Sequence, residues 1–195
     1  TNRSQKEGLE FSIEQYIELE KYTKELGLDF IVSCWDLNSL AIIEKNLNVK
    51  YHKIASALLT DADFLSAINA TGKPVILSTG MSTYEDIDKA MEILDNVVYI
   101  LACTSTYPTL ENEVNLKYIK TLKEEYPFCH IGFSNHSSGV MASFGAVALG
   151  AECIEFHITK DRTMYGSDQA ASIESVDVLV AGIRKLESMM GDGIK

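Results

Sequence analysis

The feature that most constrains this chain is a repeating exchange between two hydrophobic periods. Stretches with apolar residues at helical spacing alternate with short apolar runs rich in β-branched and aromatic residues. Helical patterns fall at 12–26, 37–47, 60–71, 82–94, 114–125, 139–149 and 174–190. Six strand-like runs lie between them, at 30–35, 51–55, 74–79, 97–103, 129–134 and 152–158. Runs such as Pro74-Val75-Ile76-Leu77 and Val97-Val98-Tyr99-Ile100-Leu101 are continuously apolar, as strands covered on both faces are. Strands joined by crossover helices must be parallel.

Local signals set the boundaries. Ser12, Asp61, Ser82 and Ser138 stand where the first backbone N–H groups of a helix need a side-chain acceptor. Gly27, Gly72 and Gly150 stand just past helix ends, where a left-handed residue is required. Two α/β architectures fit this order, a doubly wound open sheet or a barrel. The nucleotide-binding open sheet wants a Gly-rich turn after its first strand, and neither GxGxxG nor GxxxxGK[ST] occurs. A TIM (β/α)8-type barrel closes with eight strands. If the chain is such a barrel, its six runs represent about the last six βα units. On this expectation residues 1–195 form a partial barrel catalytic domain, with two N-terminal strands lying outside it.

Composition narrows the function. With 28 acidic against 17 basic residues the net charge is -11, and no Lys/Arg cluster offsets it, which argues against a nucleic-acid partner. No apolar run reaches the roughly 20 residues of a membrane span. The polar start Thr1-Asn2-Arg3-Ser4-Gln5-Lys6-Glu7 is not a signal peptide. Cys34, Cys103, Cys129 and Cys153 are far apart and each adjoins an apolar run, the pattern of buried thiols in a reducing compartment. A cytoplasmic location is the corresponding expectation.

Parallel α/β proteins bind ligands at the C-terminal ends of their strands. The residues found there are Ser33 and Trp35, then Lys53 and Ser56, then Ser78-Thr79-Gly80-Met81. Cys103-Thr104-Ser105, Ser134-Asn135-His136 and His157-Ile158-Thr159 follow at the later strands. Hydroxyls with one Lys suit a phosphate or carboxylate; the alternative reading is that the hydroxyls cap the following helices. His136 and His157 end successive strands, so they should be neighbours able to hold a divalent ion with open positions. His52 points to the opposite face from Lys53, and His130 opens its strand at the wrong end. Both read as structural. Asp168 lies on a long loop at the same end, placed to act as a base or to meet substrate hydroxyls.

These motifs in this order resemble the sialic acid synthase family, which includes N-acetylneuraminate synthase and its legionaminic and pseudaminic acid relatives. The resemblance is carried by Lys53-Ile54-Ala55-Ser56, Ser78-Thr79-Gly80-Met81, Cys103-Thr104-Ser105-Thr106-Tyr107-Pro108 and Gly132-Phe133-Ser134-Asn135-His136-Ser137. Glu155-Phe156-His157-Ile158-Thr159 and Gly166-Ser167-Asp168-Gln169 complete it. It implies a (β/α)8 barrel followed by a small antifreeze-like domain, commonly in a homodimer. It also implies a transferase that condenses phosphoenolpyruvate with an N-acetylhexosamine, releases phosphate and requires a divalent metal, manganese or magnesium. By position His136 and His157 become the metal ligands. Lys53, Ser56, Ser105, Ser134 and, more loosely, Ser33 become the phosphoenolpyruvate set, and Asp168 meets the sugar. Asn135 stands where many members carry Asp, which removes an acceptor for a ligand imidazole. Two other readings remain: a keto-acid-phosphate synthase acting on a phosphorylated aldose, and a non-catalytic barrel that binds sugar or metal.

Overall fold

The computed structural model describes residues 8–194. The polar stretch 1–7 lies outside the described residues. Helix α1 (Ile13–Glu25) opens with a reciprocal cap: Ser12 Oγ accepts from the Gln15 N–H at 3.4 Å, and Gln15 Oε1 accepts from the Ser12 N–H at 2.8 Å. There follow α2 (Leu37–Asn46), β1 (His52–Ile54), α3 (Ala62–Asn69), β2 (Val75–Ser78), α4 (Tyr84–Ile93) and β3 (Val97–Cys103). The order continues with α5 (Tyr118–Glu125), β4 (His130–Asn135), α6 (Met141–Ala148), β5 (Ile154–Phe156) and α7 (Val176–Met190).

The strands form one sheet in the order β1-β2-β3-β4-β5, every pair parallel. Neighbouring strands lie about 4.8 Å apart, so in a flat sheet β1 and β5 would stand about 19 Å from each other. Lys53 Nζ on β1 nevertheless lies 3.4 Å from Glu155 Oε2 on β5. The sheet is therefore curled into half a barrel, with its inner face closing on itself.

Apolar burial drives that geometry. Ile54, Leu77, Ile100 and Ile131 are fully buried. Leu40 and Ile43 of α2, Phe64, Leu65 and Ile68 of α3, and Ile87 of α4 join one cluster, while Ile119 and Leu122 of α5 and Ala146 of α6 join a second. Each buried side chain of this size contributes roughly 1.5–3 kcal/mol. No helix among the described residues is long and apolar enough to cross a membrane.

Several sequence expectations need correction. Of the six expected strands, the first (30–35) makes only the isolated bridge Val32–His52, so the sheet has five strands. Among the described residues that segment has a partner on the β1 side only, and β1 is itself three residues long. The helix expected over 114–125 begins at Tyr118, because Asn115 takes a left-handed φ of 49° that breaks the pattern. Thr83, not Ser82, caps α4, because Asp86 completes the reciprocal pair with it. Ser138 caps nothing; its hydroxyl donates to the Ala170 carbonyl at 3.3 Å. Asp61 caps α3 as expected, and Gly27, Gly72 and Gly150 are left-handed. Only Cys34 is a core thiol, while Cys103, Cys129 and Cys153 are partly exposed and all four are free.

Candidate active site

Side chains on a strand alternate between faces, so residues two apart share one. That rule builds the site. Ser33 and Trp35 before β1, Lys53 on β1, Ser78 on β2, Cys103 on β3, Ser134 and His136 at β4, and Glu155 and His157 at β5 all line one cavity of about 240 Å³. It opens at the C-terminal strand ends. Six of the expected residues are thus brought together: Ser33, Lys53, Ser56, Ser134, His136 and His157. Ser105 and Asp168 flank the cavity. Ser105 Oγ lies 3.9 Å from Cys103 Sγ, and Asp168 Oδ2 lies 3.9 Å from His157 Nδ1.

Lys53 is buried, and its ammonium donates to the Ile54 carbonyl at 3.1 Å while facing Glu155 at 3.4 Å. Ser134 donates to Glu155 Oε1 at 2.7 Å. One carboxylate therefore ties β1, β4 and β5 together and compensates a charge that could not be buried alone. Ser56 Oγ accepts from the Gly80 N–H at 2.9 Å. A β-carbon at Gly80 would collide with Ser105 Oγ and Ser56 Oγ, so only glycine lets this turn approach the site. Ser78 Oγ is buried, lines the cavity and has no protein partner. Such an orphan hydroxyl suits a ligand oxygen.

The two imidazoles lie with ring centroids 5.3 Å apart. His136 Nδ1 is 2.8 Å from the Thr104 carbonyl. A carbonyl only accepts, so Nδ1 carries the proton and the lone pair sits on Nε2. Ser134 Oγ lies 3.4 Å from that Nε2, but its proton goes to Glu155. Tyr107 packs on both rings, at 4.2 Å from His136 and 5.7 Å from His157. Burial works to lower the pKa of His136, but contacts with the Cys103 thiol and the Thr104 carbonyl outweigh it and leave the pKa raised. Burial, then the neighbouring His136, lower that of His157. Burial, with Cys103 and Asp168 adding to it, pushes the Tyr107 phenol up to about 12.

The donor set fits a divalent ion as a half-site: two imidazoles on one cavity, with an Nε2 lone pair fixed on one of them. No group of three His, Cys, Asp or Glu able to hold a metal occurs among the described residues. Two imidazoles leave most of a divalent ion's coordination positions open.

Asn135 departs from expectation. Its side chain points away from His136, which takes its backbone acceptor from Thr104 instead. Asn135 therefore deprives no imidazole of a partner. His52 and His130 lie outside the cavity, the first beneath α2 with Nε2 3.2 Å from Glu44, the second 2.7 Å from Glu152 in solvent. Glu155, Ser78 and Tyr107 are cavity residues that the sequence reading did not assign. For Glu155 the signal was present: it stands two residues before His157 and so shares its face.

A protein-family model, the NeuB family, matches residues 2–195. The chain is 35% identical over 195 residues to N-acetylneuraminate-9-phosphate synthase of Homo sapiens, covering 97% of this chain and 54% of that protein. It is 37% identical over 196 residues to N,N'-diacetyllegionaminic acid synthase of Campylobacter jejuni, covering 96% and 58%. Among solved structures, N-acetylneuraminic acid (sialic acid) synthetase from Leptospira borgpetersenii in complex with citrate superposes with a TM-score of 0.88 at 33% identity, covering 95% of this chain and 66% of that one. The chain thus spans a little over half the length of these curated relatives.

Proposed function

From the premise that this chain belongs to the NeuB family, we propose that it forms part of a phosphoenolpyruvate-dependent sugar acid synthase, with an N-acetylated hexose as acceptor. C3 of phosphoenolpyruvate forms the new bond to the open-chain sugar aldehyde, water adds at C2, and phosphate leaves with its bridging oxygen. The product is a 2-keto sugar acid of nine carbons. The observation that carries this reading is the shared cavity: Lys53 with its hydroxyls and both imidazoles face one space.

Each residue then has a task. Lys53, Ser56, Ser78 and Ser134 bind the phosphate and carboxylate of phosphoenolpyruvate, with Ser105 beside them and Ser33 at the edge. Ser33 Oγ donates to the Lys53 carbonyl at 3.2 Å and so steadies that strand end. A cavity of about 240 Å³ suits a ligand of this size and extends toward the open mouth for the sugar. Glu155 holds Lys53 in place until the anion arrives. His136 and His157 would hold a manganese or magnesium ion, which when bound supplies a Lewis acid for the aldehyde. Tyr107, protonated at neutral pH, covers both rings and limits water. Asp168 reaches the sugar hydroxyls from the loop.

An acidic protein binding two negative groups is consistent, because donors at contact distance outweigh surface charge screened beyond about 10 Å. The test is phosphate release by the full-length protein from phosphoenolpyruvate with manganese, supplying N-acetylmannosamine, its 6-phosphate or a diacetamido hexose in turn. Turnover with one of them is expected. A full-length protein that binds manganese but releases no phosphate with any would leave a sugar- or metal-binding barrel as the better reading.

A further inference from the structure

We propose that Asn135 is the positioning residue for His136, acting through the turn that follows β4. The role of His136 itself rests on the function proposed above.

Strand β4 ends at Asn135, and its side chains alternate: Ser134 and His136 enter the cavity while Asn135 turns toward α6. Asn135 is buried, and both halves of its carboxamide are used. Oδ1 accepts from the Ser137 N–H at 3.0 Å and from the Ser137 hydroxyl at 2.7 Å. Nδ2 donates to the Gly139 carbonyl at 3.3 Å and to Ser143 Oγ at 3.1 Å. One side chain therefore joins the strand end, the turn and the fully buried Ser143 of α6. No side chain caps the start of α6, and this carboxamide makes a polar link between that helix and the strand.

His136 sits inside this brace. Its carbonyl accepts from the Thr109 N–H at 2.9 Å, and its Nδ1 donates to the Thr104 carbonyl at 2.8 Å. The 104–109 segment grips His136 on one side and the Asn135 network grips its flanking residues on the other. Ring direction, and with it the aim of the Nε2 lone pair, depends on both.

The substitutions separate position from bulk. Asn135→Ala leaves the Ser137 N–H and Ser143 Oγ buried without a partner, and the turn is freed. Asn135→Asp keeps both contacts to Ser137 and can accept the Ser143 hydroxyl proton, while it gives up the bond to Gly139 and turns a carboxylate oxygen toward that carbonyl. Asp should therefore rescue what Ala breaks.

The experiment uses the full-length, metal-free protein labelled with 15N-histidine. Wild type should show His136 as a single Nδ1–H tautomer, Asn135→Asp should keep that signal, and Asn135→Ala should average it. Manganese affinity should fall about tenfold in Asn135→Ala, the low end for groups that orient a ligand, and recover in Asn135→Asp. If Asn135→Ala melts earlier but keeps the wild-type His136 signal and manganese affinity, Asn135 only stabilises the fold and the proposal fails. Should that variant not fold, Ser143→Ala and Ser137→Ala each remove one partner. A smaller shift of the same signal supports the proposal, and no shift in either overturns it. A wild-type protein that binds no manganese would sink the metal role of His136, while the tautomer comparison would still decide the part played by Asn135.

Discussion

Two places in this molecule hold the same three residue types and do different things with them. On the inner face of the sheet Lys53, Glu155 and the imidazoles of His136 and His157 meet around a cavity of about 240 Å³. On the outer face, one residue before Lys53, His52 lies beneath α2 with Glu44, and Lys73 completes the group at 2.6 Å from the same Glu44 oxygen. His52 is buried and its Nδ1 has no partner. The outer group is packed under a helix and lines none of the cavities described. Composition does not distinguish the two; convergence of strand ends on an open space does. The inner set opens onto a cavity, to which the proposed function assigns a ligand, and the outer set is part of the packing between sheet and helix.

The largest expected difference is in turnover. His136→Ala or His157→Ala in the full-length protein should abolish manganese-dependent phosphate release, with rates down by on the order of a thousandfold or more, as loss of a Lewis-acid site implies. His52→Gln should leave kcat unchanged. Comparable losses at all three positions would erase the distinction. Next, Lys53→Met should lower kcat/KM for phosphoenolpyruvate by about 10–150-fold, which corresponds to about 1.5–3 kcal/mol for a charge-assisted contact. Lys73→Met should leave it alone. Steady-state kinetics on the pair reads this directly.

A smaller effect concerns acid stability. Burial lowers the pKa of His52 in the folded state, opposed by Glu44 and assisted by Lys73. The unfolded chain then binds a proton near pH 6.5 that the folded chain refuses, so unfolding gains protons as pH falls. Stability from this group is complete above pH 6.5 and is lost on going lower, at no more than about 1.4 kcal/mol per pH unit. Urea unfolding of wild type and His52→Gln between pH 7.5 and 5 should show a shallower acid slope in the variant. A last difference, one of reactivity rather than of function or stability, is at the buried thiol. Cys34 is pushed up to about 11 by burial, with Asp36 and Glu44 adding to it, so it should alkylate far more slowly at pH 7.5 than the partly exposed Cys103. Mass mapping after iodoacetamide treatment decides this.

Much of the inner face was legible in the sequence because it obeys two simple periods. Continuous apolar runs marked β2 and β3, and polar residues just beyond the runs marked the mouth. The losses have physical causes. The segment 30–35 has strand-like composition, yet a ladder needs partners, and among the described residues it finds one bridge. Val114-Asn115-Leu116 fits a helical pattern, and the one signal against it is that Asn tolerates the left-handed region that Asn115 adopts. Ser82 and Thr83 are equally good caps by type, and only Asp86 three residues on separates them. Glu155 was passed over because a carboxylate inside an apolar strand draws attention only when its partners Lys53 and Ser134 are in view, although its phase with His157 already implied the cavity. The Asn135 network could not be read at all, since it joins a strand end to a helix face eight residues away.

The central claim is that the Lys53 cradle and the imidazole pair serve one cavity. Phosphorus-31 NMR of phosphoenolpyruvate bound to the full-length protein, titrated with manganese, tests it most directly. The account predicts strong broadening of the bound phosphate signal by manganese, lost on His136→Ala with phosphoenolpyruvate still bound, and lost on Lys53→Met with manganese still bound. A bound phosphate signal that stays sharp while manganese binding is independently demonstrated would contradict it.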